Sequence, residues 1–134
     1  MKWIIAAMLV LTTHQAWSVE VKKIELFINS NMPVHNQRFA RDIEFEVIYV
    51  DEVDRLESSI SQQLPKDPQQ AKSIAQKLIN DPSFTSAIGK AYQGQLKAWR
   101  YGIKHLPAAV INDGQGLIYG SSDVAALLTR AEQE

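Results

Sequence analysis

The chain contains no cysteine. No disulfide can hold it, and no thiolate can serve as a nucleophile or redox centre. Nor is there a block of one charge. Fourteen Lys and Arg stand against 15 Asp and Glu, for a formal net charge of −1. Without a basic stripe, direct nucleic-acid binding is not indicated, and no charged tail is visible. Long apolar runs are missing as well. The stretch Trp3 to Leu11 is too short to cross a bilayer comfortably. A length of 134 residues fits one domain.

What is present begins with an export pattern. Lys2 supplies a positive start, Trp3 to Leu11 an apolar core, and Ala16-Trp17-Ser18 small residues at positions −3 and −1 of a cleavage site. Residues 1–18 are therefore expected to be a cleaved signal peptide, and 19–134 the folded domain. No cysteine follows the apolar core, so a lipid-anchored form is excluded. Removing 1–18 takes away Lys2 alone among charged residues, which leaves 13 basic and 15 acidic, net −2. The expected location is the periplasm, with no stable membrane insertion after cleavage.

The folded part reads as alternating elements. Ile24-Glu25-Leu26-Phe27-Ile28 closes a first strand near 21–28. Asn29-Ser30-Asn31 breaks it, and Pro33 suits the first turn of a helix over about 33–42, with Val34 and Phe39 turned inward. Glu44 to Val50 is rich in β-branched and aromatic residues and reads as a second strand. Three helices follow. Val53, Leu56 and Ile60 stripe the first, which ends at Pro65. Asp67-Pro68 and Asp81-Pro82 each pair an N-cap with a proline at the first helical position. The stripe of the last helix is Phe84, Ile88, Tyr92, Leu96 and Trp99, with Trp99 as its expected core anchor. Gly89 and Gly94 weaken that helix by about 1 kcal/mol each relative to alanine, so close packing or a bend is expected there. Gly102 is placed to end it. Lys97, Arg100 and Lys104 supply the positive charge a helix C-terminus prefers.

The run Gly102 to Gly120 is the most informative stretch. Pro107 opens an apolar strand, and Asp113-Gly114 favours a type I′ turn into a second one ending near Gly120. Ser121 or Ser122 then caps a last helix that buries Val124, Leu127, Leu128 and Ala131, with Asp123 in its first turn. The element order β-α-β-α-α-α-β-β-α, with Gly102-Ile103-Lys104-His105-Leu106-Pro107 before the third strand, resembles a thioredoxin-like domain. The resemblance implies an α/β fold: a four-stranded mixed sheet flanked by helices, with an inserted helical segment before a strand opened by a cis proline. In enzymes of that fold a Cys-x-Pro-Cys motif follows the first strand. Here Asn31-Met32-Pro33-Val34 stands in that place, so the proline is kept and both thiols are gone.

A narrower resemblance covers most of residues 19–134. Leu106-Pro107-Ala108-Ala109-Val110, Tyr119-Gly120-Ser121-Ser122-Asp123 and Glu25-Leu26-Phe27-Ile28 are similar to cysteine-free periplasmic proteins encoded in integrating conjugative elements. That resemblance implies a non-catalytic accessory role in a conjugative, type IV secretion-like transfer apparatus. Its partners would be other envelope proteins of that machinery, and no cofactor is implied.

The expected partner-binding set is Asn31, Met32, Pro33, Val34, His105, Leu106 and Pro107. These residues would border one cleft, where backbone groups beside the proline pair with an extended partner strand. The alternative is a thiol-independent small-ligand or metal-binding protein using His35 and His105, two histidines expected at the same cleft. A firm zinc site needs three or four ligands, and no third ligand is spaced to complete one. Ser30 could stabilise a bound thiolate as some glutathione-transferase domains do, but those need a further helical domain. Loop capping is the simpler role. No nucleophile–base–orienter set is recognisable.

Overall fold

The computed structural model describes residues 19–133. The expected signal segment, 1–18, lies outside them. The elements in order are β1 (Lys23–Ile28), β2 (Glu44–Tyr49), α1 (Glu52–Gln63), α2 (Pro68–Ile79), α3 (Pro82–Arg100), β3 (Ala108–Ile111), β4 (Gly116–Tyr119) and α4 (Val124–Ala131). The fold is α/β with one open, four-stranded mixed sheet in the order β2-β1-β3-β4. β1 and β2 run parallel, while β3 is antiparallel to both β1 and β4.

β1 is central because both of its faces are apolar. Ile24, Leu26 and Ile28 face one core together with Ala109, Ile111, Ile118, Leu127 and Ala131, which brings in α4. Phe27 faces the other core with Ile48, Ala98, Ala108 and Val110, which brings in α3. Each such large side chain, fully removed from water, contributes about 1.5–3 kcal/mol. Helices α1 and α2 pack on α3 rather than on the sheet.

Among the described residues, three of the four helix starts are set by capping aspartates. Asp67 and Asp81 accept from the N–H groups of Gln69 and Ser83, with proline next in each case. The third start differs from the sequence expectation. Asp123, and neither serine, is the cap of α4, taking the N–H groups of Ala125 and Ala126. Helix α3 ends in a paired motif around Gly102, whose φ is +66°. Ile103 N–H reaches the Ala98 carbonyl, and Gly102 N–H reaches that of Trp99, each at 3.0 Å.

Three other expectations are corrected. The helix expected over 33–42 is only a single 3-10 turn, Gln37–Ala40, entered through Asn36 in the left-handed region. Val34 is half-buried against the core, but Phe39 is exposed. The β3–β4 connection is not a two-residue type I′ turn. Ile111 pairs with Gly116, so four residues form the loop, and Asn112, Asp113 and Gly114 all have positive φ. The Asn112 side chain ties that loop to the start of β1 and the residues before it, accepting from the N–H groups of Lys22 and Lys23 and donating to the Glu20 carbonyl. Finally, Trp99 is not a core anchor. It is 82% exposed, and α3 buries Ala91, Gly94 and Ala98 instead.

Candidate functional site: the loops at the end of β1

The chain leaves β1 at Ile28 and turns at once, with Met32 N–H bonded to the Asn29 carbonyl at 3.0 Å. Ser30 ties this loop to the start of α1. Its N–H and hydroxyl donate to the Asp51 carboxylate at 2.9 and 2.6 Å. Burial alone would raise the Asp51 carboxyl, but the two Ser30 bonds outweigh it and hold the group below the usual carboxylate range. Ser30 is thus a loop-to-helix clamp. Further along, His35 makes a two-bond bridge to the start of α4: its N–H donates to the Ser122 carbonyl at 3.1 Å, and its carbonyl accepts from Val124 N–H at 3.0 Å.

The second loop enters β3. The Leu106–Pro107 bond is cis. β1 and β3 pair with Phe27 opposite Ala108, so one further step along that register sets Pro107 opposite Ile28. Residues 29–35 and 105–107 therefore meet the same end of the sheet. The Pro107 carbonyl accepts from Gly120 N–H at 2.9 Å, which fixes the loop to the end of β4. Among the described residues, neither the N–H nor the carbonyl of Leu106 has a hydrogen-bond partner.

The expected binding residues divide by orientation. Met32 and Val34 pack against the α4-side core, and Leu106 packs against the α3-side core. Pro107 is half-buried, while Asn31, Pro33 and His105 are exposed. The two histidines have separate neighbours. The Asp123 carboxylate feels the charge of His35, whereas the His105 ring sits edge-on to Tyr119 with centroids 6.1 Å apart. No group of three or more His, Asp or Glu side chains able to hold a metal ion occurs among the described residues.

One cluster escaped the sequence reading. Glu25, in the middle of β1, is 1% exposed. Its carboxylate accepts from Lys97 Nζ at 2.7 Å and from the Tyr101 hydroxyl at 2.8 Å. Lys97 also donates to Glu46, the residue paired with Glu25 across the parallel ladder. Two carboxylates side by side repel, and one ammonium between them offsets this. The bond to Glu25 lifts the Lys97 ammonium above its ordinary range against the opposing effect of burial. Burial first, then the Glu25 carboxylate, raises the Tyr101 phenol. The signal in the sequence was an acid inside an otherwise apolar central strand.

Beside this cluster, β2 and α3 frame an open groove of about 590 Å³ edged by Glu46, Tyr49, Glu52, Lys90 and Lys97. It lies along the sheet edge. No helix among the described residues is long and apolar enough to cross a membrane. Residues 14–133 match a family described as "Protein of unknown function (DUF1525)". No curated protein matches the chain, and no solved structure does.

Proposed function

The chain belongs to the DUF1525 family, and from that premise we propose that it is an exported, non-catalytic accessory protein of a conjugative DNA-transfer apparatus. It binds another envelope protein of that apparatus through a thioredoxin-like cleft that has lost its thiols. The partner lies as an extended segment across the two loops at the end of β1.

The observation that carries this reading is the backbone of Leu106. A backbone N–H and carbonyl on one residue with no partner among the described residues, at the end of an open sheet, match what an added strand requires. Three features support it. The four-stranded mixed sheet, with β1 and β2 parallel and β3 antiparallel between β1 and β4, is compatible with the thioredoxin-like resemblance. Pro33 and the cis Pro107 stand on the two loops that such a cleft needs. Asn31, Pro33 and His105 offer exposed side chains around those backbone groups. The conjugative setting and the periplasmic location rest on the sequence resemblance and on the export pattern of residues 1–18.

The absence of cysteine supplies the test. A single cysteine at Asn31→Cys or at His105→Cys can carry a photo-activated cross-linker with no competing thiol. In cells holding the transfer genes, both positions are expected to capture the same envelope protein, and Thr129→Cys on α4 is expected to capture none. Capture from Thr129 with silence at Asn31 and His105 sinks the cleft reading.

A further inference from the structure

The C-terminal half of α3 exposes three large apolar side chains. Tyr92 is 47% exposed, Leu96 56% and Trp99 82%, at helical spacings of four and three residues. They share one line with Thr85 and Gly89, since all five fall at i, i+4, i+7, i+11 and i+14. Thr85 Oγ1 contacts the Ile79 carbonyl, which brings the end of α2 and its 68% exposed Ile79 to the start of that line. The ridge from Thr85 to Trp99 is about 21 Å long at the rise of an α-helix.

The segment that carries the ridge is basic in sequence, although Lys97 within it is bound to Glu25 and Glu46, and Glu57 of α1 lies near Tyr92. Residues 66–104 hold seven basic groups (Lys66, Lys72, Lys77, Lys90, Lys97, Arg100 and Lys104) against two acidic ones (Asp67 and Asp81), a net of +5. The remainder of the chain holds the other seven basic and 13 acidic groups, a net of −6. Arg100 is one turn beyond Leu96, and Lys72 lies along α2 on the side of Ile79. Asp67 and Asp81 are bound to backbone N–H groups as helix caps.

We propose that the Ile79–Tyr92–Leu96–Trp99 ridge docks this domain on an anionic lipid surface, with Lys72, Arg100 and Lys104 beside the headgroups. Charge complementarity favours that occupant. A second copy laid on the ridge would bring two basic segments together. The exposed apolar side chains of α3 follow a single helical line. A protein partner would need a matching groove over a standard interface of about 1,200–2,000 Å², whereas a fluid bilayer yields around a ridge. Tryptophan and tyrosine prefer the interfacial zone, and a basic amphipathic helix with these residues lies in its plane. The surface is separate from the loops at the end of β1, so this inference stands without the partner-binding proposal.

The chain from residue 19 carries every strand and helix among the described residues, and Trp99 is its single tryptophan. With vesicles of phosphatidylglycerol and phosphatidylethanolamine it is expected to co-sediment, with a blue shift of Trp99 emission. Zwitterionic phosphatidylcholine vesicles are expected to give neither. Lys72→Gln and Arg100→Gln should each weaken binding by about fivefold, and raised salt should weaken it further. Leu96→Ser should abolish it while leaving the far-ultraviolet circular dichroism intact. Three results would overturn the proposal: no binding to anionic vesicles by the folded protein, unchanged binding by Leu96→Ser, or a blue-shifted Trp99 in a lipid-free dimer. The last result would assign the ridge to a second copy.

Discussion

Glu25 is the residue most at odds with its surroundings. It sits between Ile24 and Leu26 in the central strand, and its carboxylate is met by the Lys97 ammonium on α3 and the hydroxyl of Tyr101 just past it, with Lys23 more distant at 3.9 Å. Breaking a buried pair from one side leaves the other charge uncompensated. Lys97→Met is therefore expected to destabilise the fold by about 3 kcal/mol. Replacing both partners removes the stranded charge, so the double change Glu25→Leu with Lys97→Met should recover much of that loss. Urea titration of the wild type, both single variants and the double variant measures this. If the double variant is no better than Lys97→Met alone, the pair is not coupled as described. Other carboxylates set the response to acid. Asp51, Asp81 and Asp123 all have carboxyls held below their ordinary range: Ser30 bonds overcome burial at Asp51, the Ser83 hydroxyl acts at Asp81, and the Ala126 N–H acts at Asp123. A depressed carboxyl adds stability above its unfolded value, and that stability is lost as pH falls through the folded one. Melting temperature should therefore hold through neutral pH and fall below about pH 4. Asp51→Asn should flatten that fall. At the other end, Lys97 and Tyr101 are raised, so their contribution is complete below the unfolded values and is lost as pH climbs beyond about 10.

At the scale of elements, α3 separates what the sequence could reveal from what it could not. Its start at Asp81-Pro82 and its end at Gly102 were legible, because caps depend on local chemistry. Its buried face was not, apart from the close packing expected at Gly94. The large apolar residues trace one stripe, and periodicity takes the largest stripe as the core. The helix instead turns Ala91, Gly94 and Ala98 toward the sheet. Small side chains let it approach β2, where a Cβ built on Gly94 would stand 3.0 Å from Ile48 Cγ2 and 3.7 Å from the Tyr49 carbonyl. A close approach is encoded by the absence of bulk, which hydrophobic scales do not register. The two helical glycines should therefore respond in opposite directions. A Cβ on Gly89 meets nothing within 4 Å, so Gly89→Ala should stabilise by about 1 kcal/mol. Gly94→Ala gains the same helix propensity but overpacks against Ile48, and the balance should be destabilising by about 1 kcal/mol. Chemical denaturation of the two variants checks the signs. The 3-10 turn was misread for a related reason: Pro33 marks a helix start locally, but His35 is bonded across to α4 and Asn36 then takes a left-handed conformation. Those contacts are set by residues almost 90 positions away.

The whole molecule is uneven in how firmly its parts are held. β1 lies between β2 and β3 and is buried from Ile24 to Ile28, with a core on each face. The four strands could be read from sequence because apolar, β-branched and aromatic residues concentrate in them, even with Glu25 inside β1 and glutamates alternating in β2. The candidate site was legible only in outline. Asn31, Pro33 and His105 are exposed as a binding surface requires, whereas Met32, Val34 and Leu106 spend their side chains on the cores. What Leu106 offers is backbone, which no residue identity announces. At the other extreme is α2. It has no buried residue and rests on α3 alone among the larger contacts. A 12-residue helix is marginal in water by itself, so its stability is borrowed from that one neighbour. Local opening should follow this gradient. Amide hydrogen exchange is expected fastest in α2 and intermediate in α1, whose Val53 is buried against its surroundings. It should be slowest in β1 and β3. Were α2 amides protected to the same degree as those of β1, the helical segment would be folding with the sheet as one unit. The α3 ridge would then be part of a rigid body rather than the spine beneath a loosely held helix.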